Sequence, residues 1–233
     1  MIYYNGVALE TVAPVKIDDI RVSPIEISPV SRPRPVRFGA DFVRMTGSGR
    51  TVTISFALLT NDITIRQKQF QAITKWARSD EPKRLTLPYH DNVYLECICT
   101  ALPSPSTRQW WESPLTIGFT TMDNPYWTAT YEKSIACGTA FTVLGDAPPL
   151  MQIKRTVSGS AASNQAYSDG SNTMTFSTIP VGDMVIDLNR QTAAVGTSSI
   201  MQYYSYASAF IQPKVGTQTI TGSGTVYWRE RWE

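Results

Sequence analysis

Hydrophobic and polar positions alternate most regularly over TVTISFAL, residues 51–58. Val52, Ile54, Phe56 and Leu58 are large and apolar; Thr51, Thr53, Ser55 and Ala57 between them are small or polar. A period of two places the large residues on one face of a sheet, so the pattern predicts a half-buried strand. The period then changes. Asn61 or Asp62 can cap a new helix, and ITIRQKQFQAITKWARS follows with Ile63, Phe70, Ile73, Trp76 and Ala77 at helical spacing. Arg66, Lys68, Gln69, Lys75 and Arg78 fall mostly off that stripe. The pattern predicts one helix over about 62–79, ended at Asp80-Glu81-Pro82 because proline cannot continue it. The stripe has to be buried on something, and the Val52–Leu58 face is the nearest surface.

The rest of the chain reads as strands. Met1–Val12 suggests a short hairpin about Asn5-Gly6, a turn dipeptide. Residues 15–27 are extended. In SRPRPVRF, Arg32, Arg34 and Arg37 are interleaved with Pro33 and Pro35 and followed by Phe38. The prolines exclude a helix and a central strand, leaving an exposed arm, an edge hairpin or a solvated loop. An arm that pairs with a neighbouring subunit uses the unpaired backbone groups of such an edge. Strands over 84–87 and 93–102 flank the turn Pro88–Asn92, with Val93, Leu95, Cys97 and Cys99 sharing a face. Trp110-Trp111 falls in a loop, and Leu115, Ile117 and Phe119 alternate before the first domain closes near Lys133.

Past that point no helical period of useful length occurs. Met151, Ile153, Arg155 and Val157 alternate, as do Met174 and Phe176. GDMVIDLNRQTAAV reads as a hairpin, residues 203–210 and 215–220 as extended, and TVYWRERW as a last strand with Val226, Trp228 and Trp232 opposite Tyr227, Arg229 and Arg231. Short strands between Gly, Ser and Pro turns predict a β-sandwich. The fold class is therefore mainly β, in two domains: 1–133, a sandwich carrying one helix, and 134–233, a second sandwich.

Charge sharpens the division. Residues 134–233 hold six basic and six acidic side chains, against 15 and 13 in 1–133. A net charge of +2 gives no general drive toward nucleic acid or membrane. No run of about 18 apolar residues occurs, and the N-terminus has no basic n-region or long apolar run. Three cysteines, Cys97, Cys99 and Cys137, make an odd count that fits assembly in a reducing cytoplasm.

Candidate chemistry is sparse. His90, the single histidine, sits in a turn beside Asp91 with no partner nucleophile in view. Neither a G-x-S-x-G elbow nor a phosphate- or dinucleotide-binding glycine pattern is present. No catalytic, metal or cofactor residue is assigned. The arginine cluster is too small, and Phe38 and Phe42 too sparse, for a nucleic-acid platform. Aromatics near the C-terminus, Tyr203, Tyr204, Tyr206, Tyr227 and Trp228, form a candidate glycan-facing cluster, with Tyr203, Tyr204 and Trp228 foremost.

The order of segments resembles the distal tail protein of long-tailed, non-contractile bacteriophages. The matching stretches are GADF, GRTVTISF, KWARS, KRLTLPYHDNVYLECI and NPYW, then IPVGDMVIDLNRQTAAV and SAFIQPKVGTQTITGSGTVYWRERW. The resemblance covers nearly the whole chain and rests on order rather than on any one motif. It implies an N-terminal sandwich with one helix, of which six copies close into a ring at the distal end of the tail. It also implies a C-terminal domain of galectin-like or carbohydrate-module-like form. The implied partners are further copies of the chain, the tail tube protein, a tail-associated tip protein and receptor-binding or adsorption proteins, with DNA as passing cargo and no membrane. On this reading the protein resides in the virion tail, uses no cofactor, is not an enzyme, and places Arg32, Arg34, Arg37 and Phe38 at the subunit interface. The competing expectations are a carbohydrate-binding module that contacts cell-wall glycans and a hydrolase.

Overall fold

The computed structural model describes residues 1–25, 27–33, 40–47, 49–60, 62–90, 92–103, 115–122 and 124–233, with 27–33 and 40–47 as backbone. It divides into two compact units, Met1–Trp127 and Thr128–Glu233. Both are built mainly from antiparallel strands.

The first unit runs β1 (Tyr3–Tyr4), β2 (Val7–Ala8), a single turn α1 (Leu9–Val12), β3 (Val15–Val22), β4 (Ile27–Pro33), β5 (Ala40–Gly47), β6 (Thr51–Leu58), α2 (Ile63–Ala77), β7 (Lys83–Thr86), β8 (Val93–Ala101) and β9 (Leu115–Thr121). Its main sheet has the order β3-β6-β9-β8-β7-β1-β2, with every pairing antiparallel. The hairpin at the start follows from Asn5-Gly6: both residues have positive φ, 52° and 78°, as a tight two-residue turn requires. Val52, Ile54 and Phe56 of β6 are fully buried and Leu58 is half-buried, while Thr51 is exposed. The expected alternation is thus present.

Helix α2 begins where Asp62 accepts from the amides of Thr64 at 2.7 Å and Ile65 at 3.0 Å. Its side chains meet the sheet through rings. Trp76 lies 6.1 Å from Phe119 and 5.7 Å from Tyr4, whose hydroxyl donates to the Cys97 carbonyl. The buried stripe differs from the expected one in two places. Ile63 is 57% exposed, whereas Arg66 is buried. The guanidinium of Arg66 donates to the carbonyls of Thr60 and Leu58, which follow and end β6. A cation that satisfies backbone acceptors can be buried at a position where a neutral apolar residue would leave them unpaired.

β10 (Trp127–Ala129) is where the chain passes from the first unit to the second. The second unit comprises β11 (Lys133–Ala136), β12 (Ala140–Val143), β13 (Ala147–Val157), β14 (Ala162–Ser168), β15 (Thr173–Ile179), β16 (Gly182–Asp187), β17 (Thr192–Val195), β18 (Ser198–Ser199), a 3-10 turn (Met201–Tyr203), β19 (Gly216–Thr219) and β20 (Thr225–Trp232). One layer has the order β18-β17-β16-β13-β20-β11. The pairs β12-β19 and β14-β15, joined by a bridge between Ser168 and Thr221, form the other. Ile153, Ile186 and Val226 face Tyr167, Phe176 and Ile220 in the core between them.

Two expectations for this unit need correction, and one strand carries no signal in its sequence. Residues 203–210 are not a strand. They leave the 3-10 turn, follow β15 through a bridge between Tyr204 and Phe176 and amide bonds from Ser205 and Ala209 to the Thr175 and Thr173 carbonyls, and fold back on themselves. β14, whose sequence ASNQAYS shows no apolar alternation, pairs with β15 along its length. On β20, Glu230 and Arg231 are both buried, so the strand does not divide cleanly into an apolar and a polar side. Arg231 donates to the carbonyl of Pro148, at the bulge that Pro148 and Pro149 put into β13.

Candidate functional site

The groups that carry chemistry in most enzymes are placed unproductively. His90 stacks on Trp127, ring centroids 4.1 Å apart. Asp91 lies outside the described residues. Burial pushes the Cys97 thiol up to about 12, with Cys99 and Glu96 adding repulsion. Burial also raises Cys99 and Cys137. A thiol held protonated is a poor nucleophile and a poor metal ligand. Among the described residues, no three His, Cys, Asp or Glu side chains gather to hold a metal ion.

The feature that stands apart in the first unit is the hairpin β4–β5. Its strands pair with each other from Ile27↔Gly47 to Pro33↔Ala40, and no other described strand pairs with either. Among the described residues neither outer edge is paired, and on β4 Pro29 and Pro33 lack an N–H to donate. Arg32 occupies a place on β4 opposite Asp41. Arg34, Arg37 and Phe38 belong to the connection between the two strands and lie outside the described residues. Trp110 and Trp111 do too. Elsewhere in this unit, a groove of about 600 Å³ follows α2 past Phe70, Thr74 and Arg78.

In the second unit the three expected glycan-facing aromatics part company. Trp228 is 6% exposed and tilts against Phe141 at 4.6 Å between centroids. It is a core residue, because β20 lies inside its layer and this position faces the opposite one; no ring face is left for a ligand. Tyr203 is half-buried at the end of the 3-10 turn. Tyr204 packs on Phe176 at 5.6 Å and on Phe210 at 4.8 Å. Beyond them Tyr206 is fully exposed at the tip of the 204–210 loop. The loop geometry separates the packed ring of Tyr204 from the free one of Tyr206.

No family model and no curated protein matches the chain. Solved structures do. The fold superposes on the crystal structure of the SPP1 Dit protein, described as a paradigm of the hub adsorption apparatus in phages that infect Gram-positive bacteria. The TM-score is 0.77 at 14% identity, over 100% of this chain and 98% of that one. A chain of the phage P2 baseplate in its calcium-activated conformation matches with a TM-score of 0.50 at 8% identity, over 94% of this chain and 91% of the other. At these identities the likeness establishes the fold.

Proposed function

We propose that this chain is a structural protein of a phage tail, closing into a ring at the distal end and joining the tail tube to the tip or adsorption apparatus. The observation that carries the proposal is the full-length likeness in fold to the SPP1 Dit hub protein. The ring is a homo-hexamer with a lumen through which DNA passes, and the protein resides in the virion tail. No catalytic step belongs to this role.

The hairpin β4–β5, which pairs with no other described strand, supports a specific means of closure. A β-ribbon with two open edges gains backbone hydrogen bonds by lying against a neighbour's sheet. Head-to-tail repetition of one such contact closes a ring and hides the edges. Arg32, Arg34, Arg37 and Phe38 lie at the seam. The second unit, with its few and balanced charges, offers a surface for receptor-binding or adsorption proteins.

The test is the triple variant R32E/R34E/R37E. It is expected to remain monomeric with an unchanged far-ultraviolet circular dichroism spectrum, while the parent protein forms rings. Rings of the variant equal in yield to the parent's would refute the arm as the closing contact.

A further inference from the structure

Beside β15 in the second unit lies a groove of about 490 Å³. Tyr204 and Phe210 form one wall, Tyr206 stands at the lip, and Asn172, Gln191 and Gln212 place amides around it. Every described lining residue is uncharged. We propose that this groove binds a neutral saccharide chain, with Tyr206 as the stacking face. The inference concerns the second unit alone and does not depend on ring formation.

Three observations converge on it. The first is a fully exposed aromatic ring on a held loop. The loop is tied by the Ser205 amide to the Thr175 carbonyl at 2.9 Å and by the Ala209 amide to the Thr173 carbonyl at 3.0 Å. Within it the Tyr204 hydroxyl donates to the Ser208 carbonyl at 2.9 Å, and the Ser208 hydroxyl donates to the Ser205 carbonyl at 2.6 Å. A tyrosine on a flexible loop would lose conformational freedom on binding; here much of that ordering is already present. Exposing a whole tyrosine ring on an ordered tip costs apolar hydration that packing it against the neighbouring Tyr204–Phe210 pair would recover.

The second is the kind of polar group present. A primary amide offers two donors and an acceptor, which matches the vicinal hydroxyls of a sugar, each both donor and acceptor. The backbone at Asn172 is held by the Asp169 carboxylate, which accepts from the main-chain N–H groups of Asn172 at 2.6 Å and Ser171 at 2.9 Å. Gln191 is placed by the β16–β17 turn, where its φ is 54°. The third observation is charge. Nucleotides, phosphorylated groups and acidic polysaccharides need cations in the site, and this lining supplies none. Sugar C–H faces carry slight positive charge and stack on the negative face of an aromatic ring. Aromatic faces, amides and no charge together select an uncharged pyranose.

The experiment is saturation-transfer difference NMR with the full-length protein. The probes are malto-, cello-, chito- and galacto-oligosaccharides, with polygalacturonate as the charged control. At least one neutral oligomer is expected to bind with a Kd on the order of 1 mM, as a shallow site of this size allows. Tyr206→Ala should weaken it about tenfold, the scale of one aromatic contact, while Tyr206→Trp retains it. Tyr131→Ala, which removes an exposed tyrosine elsewhere on the unit, should change nothing. Because Tyr206 is fully exposed, its replacement should leave the fold intact, and the mass of Tyr206→Ala in solution, read beside its saccharide binding, separates failure here from failure of the tail-ring proposal. Absence of saturable binding by every neutral oligomer overturns the inference, as does binding that survives Tyr206→Ala unchanged. Loss of docking by a tail protein in Tyr206→Ala, without saccharide binding by the parent, would make the groove a protein-docking surface and also overturn it.

Discussion

The carboxylate of Glu230, 2% exposed, accepts from the Lys133 ammonium at 2.7 Å and from the Leu144 amide at 3.1 Å. One buried charge thus fastens β11 and the end of β12 to β20. Removing its cation leaves a carboxylate in a dry site, which costs more than the pair itself contributes. Lys133→Met is expected to lower unfolding free energy by about 3 kcal/mol in urea titration. Glu230→Gln, which keeps shape and an acceptor for Leu144, should cost less. Equal stability of Lys133→Met and the parent would show that the pair does not hold these strands.

Arg66 gives a prediction of the same kind in the first unit. Arg66→Met preserves the length of the apolar stem but deprives the Thr60 and Leu58 carbonyls of their donor. A loss of about 2 kcal/mol is expected, the cost of buried acceptors left unpaired. A thermal melt superimposable on the parent's would contradict it.

Close backbone approach accounts for Gly49. A Cβ there would lie 2.2 Å from the Thr121 carbonyl oxygen, just where the Arg50 amide donates to the Thr121 hydroxyl at 2.7 Å. Gly49→Ala should therefore destabilise by about 2 kcal/mol, since the obstruction is backbone and cannot rotate away. Gly196→Ala, with open space but φ of 58°, should cost only about 1 kcal/mol. Chemical denaturation of the two variants side by side gives the order.

Alkaline pH should expose the buried thiol and phenol. Burial raises Cys97 from 9.0 to about 12 and Tyr4 from 10.0 to about 12. Folding thus favours the protonated form of each, and a proton is bound more tightly in the folded than in the unfolded chain. Stability from this source is complete below about pH 9 and falls as pH rises toward 12. The urea midpoint should decline between pH 8.5 and 10.5, about as the linkage requires, and decline less in Cys97→Ala. Cys97 should also resist alkylation at pH 8 until the protein unfolds. Rapid labelling of Cys97 in the native protein would contradict its placement.

Much of this fold was readable where local chemistry and period agree. Asn5-Gly6 demanded a tight turn, Asp62 a helix start, and GDMVIDLNRQTAAV a hairpin, and each is present. The departures have physical causes. Periodicity counts Arg66 as polar, but its partners are carbonyls at the end of another element. β14 lacks alternation because only Tyr167 of its residues is buried, and its place is set by pairing with β15. For the candidate aromatics, composition named a cluster without separating packed rings from exposed ones. Trp228 and Tyr204 pack inward, while Tyr206 is turned to solvent by hydrogen bonds of the 204–210 loop that no residue pattern announces. The arginine-proline run suggested an arm, and the hairpin's lack of any other described partner strand is a property of topology that no local pattern carries.

Ring formation is tested most directly by the mass of the purified full-length protein in solution, measured by light scattering, with negative-stain images of the same fractions. Six chains of 25.9 kDa give about 155 kDa, and the account predicts that mass in particles with a central hole. A 25.9 kDa monomer at every concentration, with the adjoining tail proteins present as well as absent, would contradict it.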